Sequence, residues 1–375
     1  MNIAPSRLFI GLALAIAAPL AHAEIKLDEI GGMEIGFEGL VQADSTWFDS
    51  DRVELADGDR ASDLRRAELV LKGGIGEFDW VVGYDAASDK WLDVNGKFGL
   101  GGGHYLQAGQ YKQPHSMEEL SSTKNNDFIS KAAITNTFGT GRRLGVAYGY
   151  GNDAWGFTAS AFGRELTDDG NRGSGYGLRG TFAPINEDGR ILHFGLSYVD
   201  RDTDDDTLRL RNRPQADLAD VRVVDTGNFF DADRVATVGL ESFWVAGPLK
   251  LQGEYMTVDA DRYGAGNDDY RGDGAYVSAV YNLTGESWGY KGGVPTTGKP
   301  SEPARGMWQV GLRYDTLDLD DGAVGGGEMD AITAGVNWYW RKNFKLMLDY
   351  VSVDSERAGL PDDPSSVQAR VQLNW

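Results

Sequence analysis

The last nine residues, Val367-Gln368-Ala369-Arg370-Val371-Gln372-Leu373-Asn374-Trp375, alternate strictly between apolar and polar side chains. Successive side chains of an extended chain point to opposite faces, so this stretch is a strand with one apolar and one polar face. The same period recurs upstream. Phe344, Leu346, Leu348 and Tyr350 alternate with Lys345, Met347 and Asp349. Ile332, Ala334, Val336, Trp338 and Trp340 alternate with Thr333, Gly335, Asn337 and Tyr339, and Trp308, Val310, Leu312 and Tyr314 with Gln309, Gly311, Arg313 and Asp315. Further strands are expected near 35–45, 64–73, 78–86, 90–98, 105–112, 142–150, 155–164, 175–183, 190–199, 233–245, 248–258 and 274–285. The total is about 16.

The connections alternate too. Residues 74–76, 151–153, 184–189, 246–247 and 341–342 read as tight turns. Longer polar loops are expected at 46–63, 113–141, 165–174, 200–232, 259–273, 318–327 and 354–364. Short turns on one side and long loops on the other mark a transmembrane barrel. Two connections break the rule: 87–89 is short on the long side, and 286–305 is long on the short side. A soluble sandwich also alternates. Aromatic residues at strand ends on the apolar face (Trp338, Trp340, Tyr350, Trp375), together with strands of membrane-crossing length, favour lipid. The expected fold is all-β: a transmembrane antiparallel β-barrel with short periplasmic turns and long extracellular loops.

The N-terminus reads as an export signal. Arg7 precedes the apolar run 8–18, and Ala21-His22-Ala23 is a small-x-small cleavage site. The run is too short for a membrane-spanning helix. Removal is expected before Glu24, leaving 24–375 as a single barrel domain in the bacterial outer membrane. Composition agrees. The chain has 51 Gly, 16 Tyr, 15 Phe and 10 Trp but no Cys, so the fold is held without disulfides, as a closed ladder of inter-strand hydrogen bonds permits. A net charge of −21 argues against nucleic acid as a partner.

Basic side chains gather in 200–232. Arg209, Arg211 and Arg213 stand at i, i+2 and i+4 with Leu208 and Leu210 between them. In extended chain that spacing puts three guanidiniums on one face, where each offers planar donors to an oxyanion. Asp200, Asp202, Asp204, Asp205, Asp206, Asp217 and Asp220 surround them, so a solvated loop is the competing reading. The run 202–206 hints at calcium, but it lacks the glycine and distal Glu of a known loop. No metal or cofactor is expected. Gly175, Gly177 and Gly180 match a dinucleotide fingerprint but lie within a strand pattern, which removes that reading. The adjacent His115-Ser116 is not triad geometry, and no enzyme is expected.

Several motifs resemble the phosphate-selective porins O and P. They are Leu64-Arg65-Arg66-Ala67, Gly109-Gln110-Tyr111-Lys112-Gln113-Pro114, Glu119-Leu120-Ser121-Ser122-Thr123-Lys124, Leu178-Arg179-Gly180-Thr181-Phe182-Ala183-Pro184, Tyr281-Asn282-Leu283-Thr284-Gly285-Glu286 and Gly335-Val336-Asn337-Trp338-Tyr339. The resemblance implies a 16-stranded barrel, a homotrimer and an anion-conducting lumen. It implies an arginine ladder at Arg209, Arg211 and Arg213, paired arginines at Arg65 and Arg66, and a constriction lysine at Lys124 on an inward-folded loop near 113–141. Lys131 falls near a second basic position and Asp93 near an acidic partner. Lys131 stands where the family has an arginine, and the long loop is heavily acidic. Lys291 is placed in a turn away from the pore. The expected partners are inorganic phosphate or other small anions and outer-membrane lipid with lipopolysaccharide. Two functions stay open: an anion-selective channel for phosphate or polyphosphate, and a weakly selective porin with a structural or surface-receptor role. An outer-membrane hydrolase is a distant third.

Overall fold

In the C-terminal strand the polar face is the buried one. Gln368, Arg370 and Gln372 are 2–3% exposed, whereas Val367, Val371 and Leu373 are 39–44% exposed. That inversion repeats around the molecule, with Leu69, Leu106, Val146, Phe157, Leu196, Leu240, Val277, Leu312, Ile332 and Leu348 all on the outside. An apolar belt of this extent is at home in lipid and not in water.

The computed structural model describes residues 25–30, 32–167 and 173–375. The export signal and its cleavage before Glu24 lie outside the described residues. Sixteen strands form the wall: β1 Met33–Asp49, β2 Arg60–Ile75, β3 Phe78–Asp85, β4 Lys90–Gly101, β5 His104–Lys112, β6 Arg142–Gly151, β7 Trp155–Phe162, β8 Gly175–Glu187, β9 Arg190–Asp202, β10 Ala232–Ala246, β11 Leu249–Arg262, β12 Tyr270–Asn282, β13 Met307–Asp321, β14 Val324–Trp340, β15 Phe344–Arg357 and β16 Ser365–Asn374. Each pairs antiparallel with the next, and β1 closes on β16 from Leu40↔Asn374 to Asp49↔Ser365. A closed ladder leaves no unpaired edge in the hydrocarbon. The short strand Ile25–Ile30 pairs with the lower part of β1.

The strands outrun the sequence expectation at their extracellular ends. Residues 318–327 and 354–364 are not loops. β13 and β14 continue to a tight turn at 322–323, and β15 runs to Arg357 before Leu360–Asp362 pairs back onto it. Acidic side chains there read as loop, yet above the membrane both strand faces meet water, so charge does not stop a ladder.

Two loops and one turn fill the lumen. Residues 113–141 carry two short helices, Met117–Leu120 and Ala133–Phe138. Their apolar residues pack with part of the 203–231 loop against the inner wall: Ile134, Phe138, Leu208, Leu210, Val224 and Phe229 meet Val258, Leu317, Met329 and Val351. Glycine makes the seat. A Cβ on Gly274 would lie 2.6 Å from Ile134 Cγ2, and one on Gly311 would lie 3.0 Å from Phe128 Cζ. The third insertion comes from the short-turn side. Residues 286–305 fold inward as the hairpin Gly289–Lys291 and Val294–Thr296, with Trp288 packed among Met117, Phe128, Ile191, Phe243 and Val280. Lys291 is therefore not in a turn away from the pore. Trp288 draws the segment into the barrel, and Lys291 comes to act on the charge of the inner-wall residue Lys97.

Candidate functional site

The backbone of 113–141 is tied to charged and polar side chains of the inner wall. Glu254 accepts from the amides of Met117 and Glu118, at 2.9 and 2.8 Å. Asp349 accepts from Ile129 N at 2.7 Å and Asp315 from Ala133 N at 3.0 Å. Lys345 donates to Asn126 O, Asn337 to Asp127 O, Arg313 to Ser130 O and Arg370 to Ile129 O. These groups come from β11, β13, β14, β15 and β16. A loop held at so many backbone points is a fixed obstruction, because each hydrogen bond would leave a buried polar or charged group unmet if it broke. Several of these seat residues, such as Arg313, Lys345, Asp349 and Arg370, stand in the strands that revealed the alternation. Their charge on an inward face was the readable signal for the loop's position.

Lys124 projects from this loop. Its side chain is about one-third exposed, and Nζ lies 3.9 Å from Glu38 Oε2. The cavity before it is lined by Lys72, Lys112 and Arg142 together with Glu38, Glu68 and Asp93. The charges are matched in pairs. Lys72 meets Glu38 at 2.8 Å, Arg142 meets Asp93 at 3.0 Å and Arg66 meets Glu68 at 3.2 Å. Lys131 pairs with Glu119, and Lys112 donates to the carbonyls of Glu119 and Ser121. Burial acts to raise the Glu119 carboxyl, but Lys131 and Lys112 outweigh it and hold the group at about 2. Of the residues expected from sequence, Lys131 and Asp93 thus belong to one network with Lys112 and Arg142, while Lys124 faces Glu38. Glu38, Lys72, Lys112 and Arg142 went unnoticed in the sequence. Glu38 and Lys72 share the inward parity of their strands, which was the available signal.

The arginine segment is built differently. Leu208, Leu210 and Asn212 are buried while Arg209 and Arg211 are exposed and Arg213 is half-buried. The three guanidiniums therefore lie on the face turned away from the apolar seat. A two-residue ladder, Arg211–Asn212 against Val224–Asp225, holds the chain extended. Arg209 forks onto Asp225 at 2.7 and 2.5 Å. Arg213 Nε donates to Ala219 O at 2.6 Å. Among the described residues, Arg211, Arg213 and Arg222 have no carboxylate within 4 Å. Partial burial lowers the pKa of Arg222, and Arg213 and Arg211 lower it further by repulsion, so Arg222 completes a cluster of four. Sequence reading stopped at three because Arg222 lies on the returning limb of the loop.

Asp217 joins the two loops to the wall. It accepts from Arg65 Nε and Nη2 at 3.2 and 3.1 Å and from Ser130 Oγ at 3.1 Å. Burial acts to raise its carboxyl, but Arg65 and Arg370 outweigh that and keep it ionised. Arg65 sits close enough to Arg213 to repel it, so the basic path from the loop to the wall is continuous through Arg213, Arg65 and Arg66. His115, at the root of the 113–141 loop, is buried, with Nδ1 3.0 Å from Ser197 Oγ. Burial pushes its pKa down to about 4.

Comparison with known proteins places this arrangement. A family model described as phosphate-selective porin O and P matches residues 35–375. Porin O of Pseudomonas aeruginosa is 27% identical over 406 residues, covering 92% of each chain. Among solved structures, the outer-membrane protein OmpT of Vibrio cholerae superposes with a TM-score of 0.62 at 11% identity, covering 93% of this chain and 99% of its own. It is also known in a trimer form. The anion-selective porin from Comamonas acidovorans gives 0.58 at 14% identity, covering 92% and 100%. At those identities the likeness is one of fold.

Proposed function

The chain belongs to the phosphate-selective porin O and P family and is an outer-membrane porin; from that premise we propose that its lumen passes phosphate or polyphosphate by passive diffusion along the basic path. The observation that carries this reading is the cluster of Arg211, Arg213 and Arg222, three guanidiniums with no carboxylate within 4 Å among the described residues. Such groups offer donors and positive field to an entering anion. Past Arg213, the wall residues Arg65 and Arg66, each already paired with a carboxylate, supply weaker sites along which the anion trades water for donors in steps. Lys124 then acts as the last cation before the exit, with Lys131 and Asp93 setting the local field. Conduction requires that the anion also leave, so affinity is modest, roughly micromolar to millimolar. The reading involves no chemical step and no cofactor. It includes removal of the signal before Glu24, a single barrel domain over 24–375, assembly as a homotrimer, and a lipid and lipopolysaccharide surround.

The weakly selective alternative draws on one observation, the pairing of Lys124, Lys72 and Arg142 with acids. Single-channel recording in asymmetric KCl separates the two. A strongly anion-favouring reversal potential, with chloride current blocked by added phosphate, supports the selective channel. A reversal potential near zero with no phosphate block removes it.

A further inference from the structure

Arg143 is among the most enclosed cations of the molecule, at 1% exposure on the inner face of β6 near its extracellular end. Its Nε reaches only Thr140 O, at 3.4 Å, and its Nη1 is buried with no partner. The guanidinium stands 5.9 Å from the centre of the Phe162 ring. Two charges act on it: Arg201, which repels it, and Glu165, which attracts it from beyond ion-pair distance. Arg201 lies on β9 with the inward parity of His193, Ser197 and Val199. Among the described residues its side chain makes no hydrogen bond or ion pair either.

A guanidinium does not shed its proton, so burial cannot neutralise it. Two such groups brought together, with donors unmet and only one distant acid, lack a counter-charge. Other enclosed arginines of the lumen meet a carboxylate, Arg313 at Asp315 and Arg370 at Asp44, and the enclosed Lys345 reaches the Asn126 carbonyl at 2.6 Å, whereas among the described residues Arg143 has neither a carboxylate nor a short hydrogen bond. The exception is local, and the backbone beneath it is shaped to match. Strand register sets Gly145, Phe162, Gly175 and Arg201 at one level across four strands. A Cβ on Gly175 would lie 2.8 Å from Arg201 Cα, and one on Gly145 would lie 3.0 Å from Phe162 Cβ. The floor between the two arginines is thus the Phe162 ring flanked by two positions that exclude side chains.

We propose that Arg143 and Arg201 form a separate oxyanion site on the inner wall at the extracellular ends of β6–β9, which takes a tetrahedral anion of the phosphate class. The site is distinct from the arginines of the 203–231 loop, whose interleaved leucines, Leu208 and Leu210, seat that loop against strands β11 to β15. Its ligand bridges the two guanidiniums over Phe162, accepting from Arg143 Nη1 and from the donors of Arg201. It rests on the reading that phosphate enters this lumen. It acts as a holding site beside the path, raising the anion concentration at the mouth.

Anomalous diffraction from crystals of the full-length barrel soaked in arsenate, a tetrahedral phosphate isostere, tests the site directly. The expected result is an arsenic peak between Arg143 and Arg201 that disappears in Arg201→Gln. Arg201 is the first choice for substitution because it is only partly enclosed; Arg143→Gln is read only after its unboiled gel mobility matches that of the native barrel. In bilayers, Arg201→Gln should raise the half-blocking phosphate concentration about tenfold, the loss of one charge-assisted hydrogen bond, with anion preference kept. Arsenic at the loop arginines or Lys124 but none at Arg143 overturns this site and leaves the proposed function standing. No arsenic anywhere, with a reversal potential near zero, overturns both. A peak that persists unchanged in Arg201→Gln also overturns the two-arginine site.

Discussion

Two basic regions line the same lumen and handle their charge in opposite ways. Around Lys124 most cations share a carboxylate, Lys124 and Lys72 with Glu38, Arg142 with Asp93 and Lys131 with Glu119, and Lys112 is held by two backbone carbonyls. In the 203–231 loop, among the described residues, only Arg209 does, through Asp225, and Arg211, Arg213 and Arg222 keep their field. Residue type alone would rank the Lys124 region, with its five cations, as the stronger anion site. Partner accounting reverses that order, because a cation already bonded to a carboxylate offers an entering anion little net attraction. The lesson is that selectivity follows unspent charge more than the number of basic residues.

The largest expected effect comes from Arg209, Arg211 and Arg213 changed together to Ala. Anion over cation preference should fall severalfold in reversal-potential measurements, while heat-modifiable gel mobility stays native. Two of the three charges lost, those of Arg211 and Arg213, have no carboxylate within 4 Å among the described residues, while Arg209 is offset by Asp225. An unchanged reversal potential would show that the loop arginines face bulk water and would break the comparison.

Lys124→Glu is expected to come next. It sets a second carboxylate against Glu38 and should abolish phosphate block of chloride current. An unpaired unit charge at ~4 Å is worth roughly 4 kcal/mol at an effective dielectric of about 20, but Glu38 already offsets part of the native term. If this single change outweighs the triple arginine variant, partner accounting is the wrong measure. Lys291→Glu should act in the same direction. Its place on the inward hairpin near Lys97 predicts a smaller but measurable loss of anion preference.

Glu38→Gln sharpens the comparison from the other side. Removing the carboxylate opposite Lys124 should raise phosphate affinity, by less than tenfold because the pair is partly exposed and worth about 1 kcal/mol or less. Block measured at equal ionic strength checks this. No gain would mean that Glu38 is not what restrains Lys124.

The smallest effect concerns how the 113–141 loop is held. His115 is pushed from 6.5 to about 4 by burial. Its folded form binds its proton later than the unfolded chain does, so stability should fall as pH drops from about 6.5 to about 4. Glu119, held at about 2, contributes stability above 4.5 that is lost as pH falls toward 2. Glu118, raised by burial, acts in the opposite sense. Melting of the barrel followed against pH should show the first decline, and His115→Gln should flatten it. A native profile in that variant would assign the decline to other groups.

The barrel itself was legible because its code is local. Nine residues from Val367 to Trp375 reveal two faces, and sixteen such segments separated by alternating short and long connections leave few closed solutions. The same period placed Arg209, Arg211 and Arg213 on one face, since that needs only an extended chain. Length also flagged 286–305 as irregular, though its direction was misread. Whether that segment hangs in water or enters the barrel depends on Trp288 finding Phe243 and Val280 on strands elsewhere in the chain.

What only the tertiary structure decided is which charges meet. Arg65 finds Asp217 across 152 positions, Asp127 finds Lys250 across 123, and Arg370 finds Asp44 across 326. Lys124 meets Glu38 from a different element altogether. Alternation states that a side chain faces the lumen, but not at what height or opposite what neighbour. Those depend on the register of sixteen strands closed into a ring and on loops folded back inside it. The charge pattern of the lumen is therefore a property of closure, while the existence of the lumen was already written in a period of two.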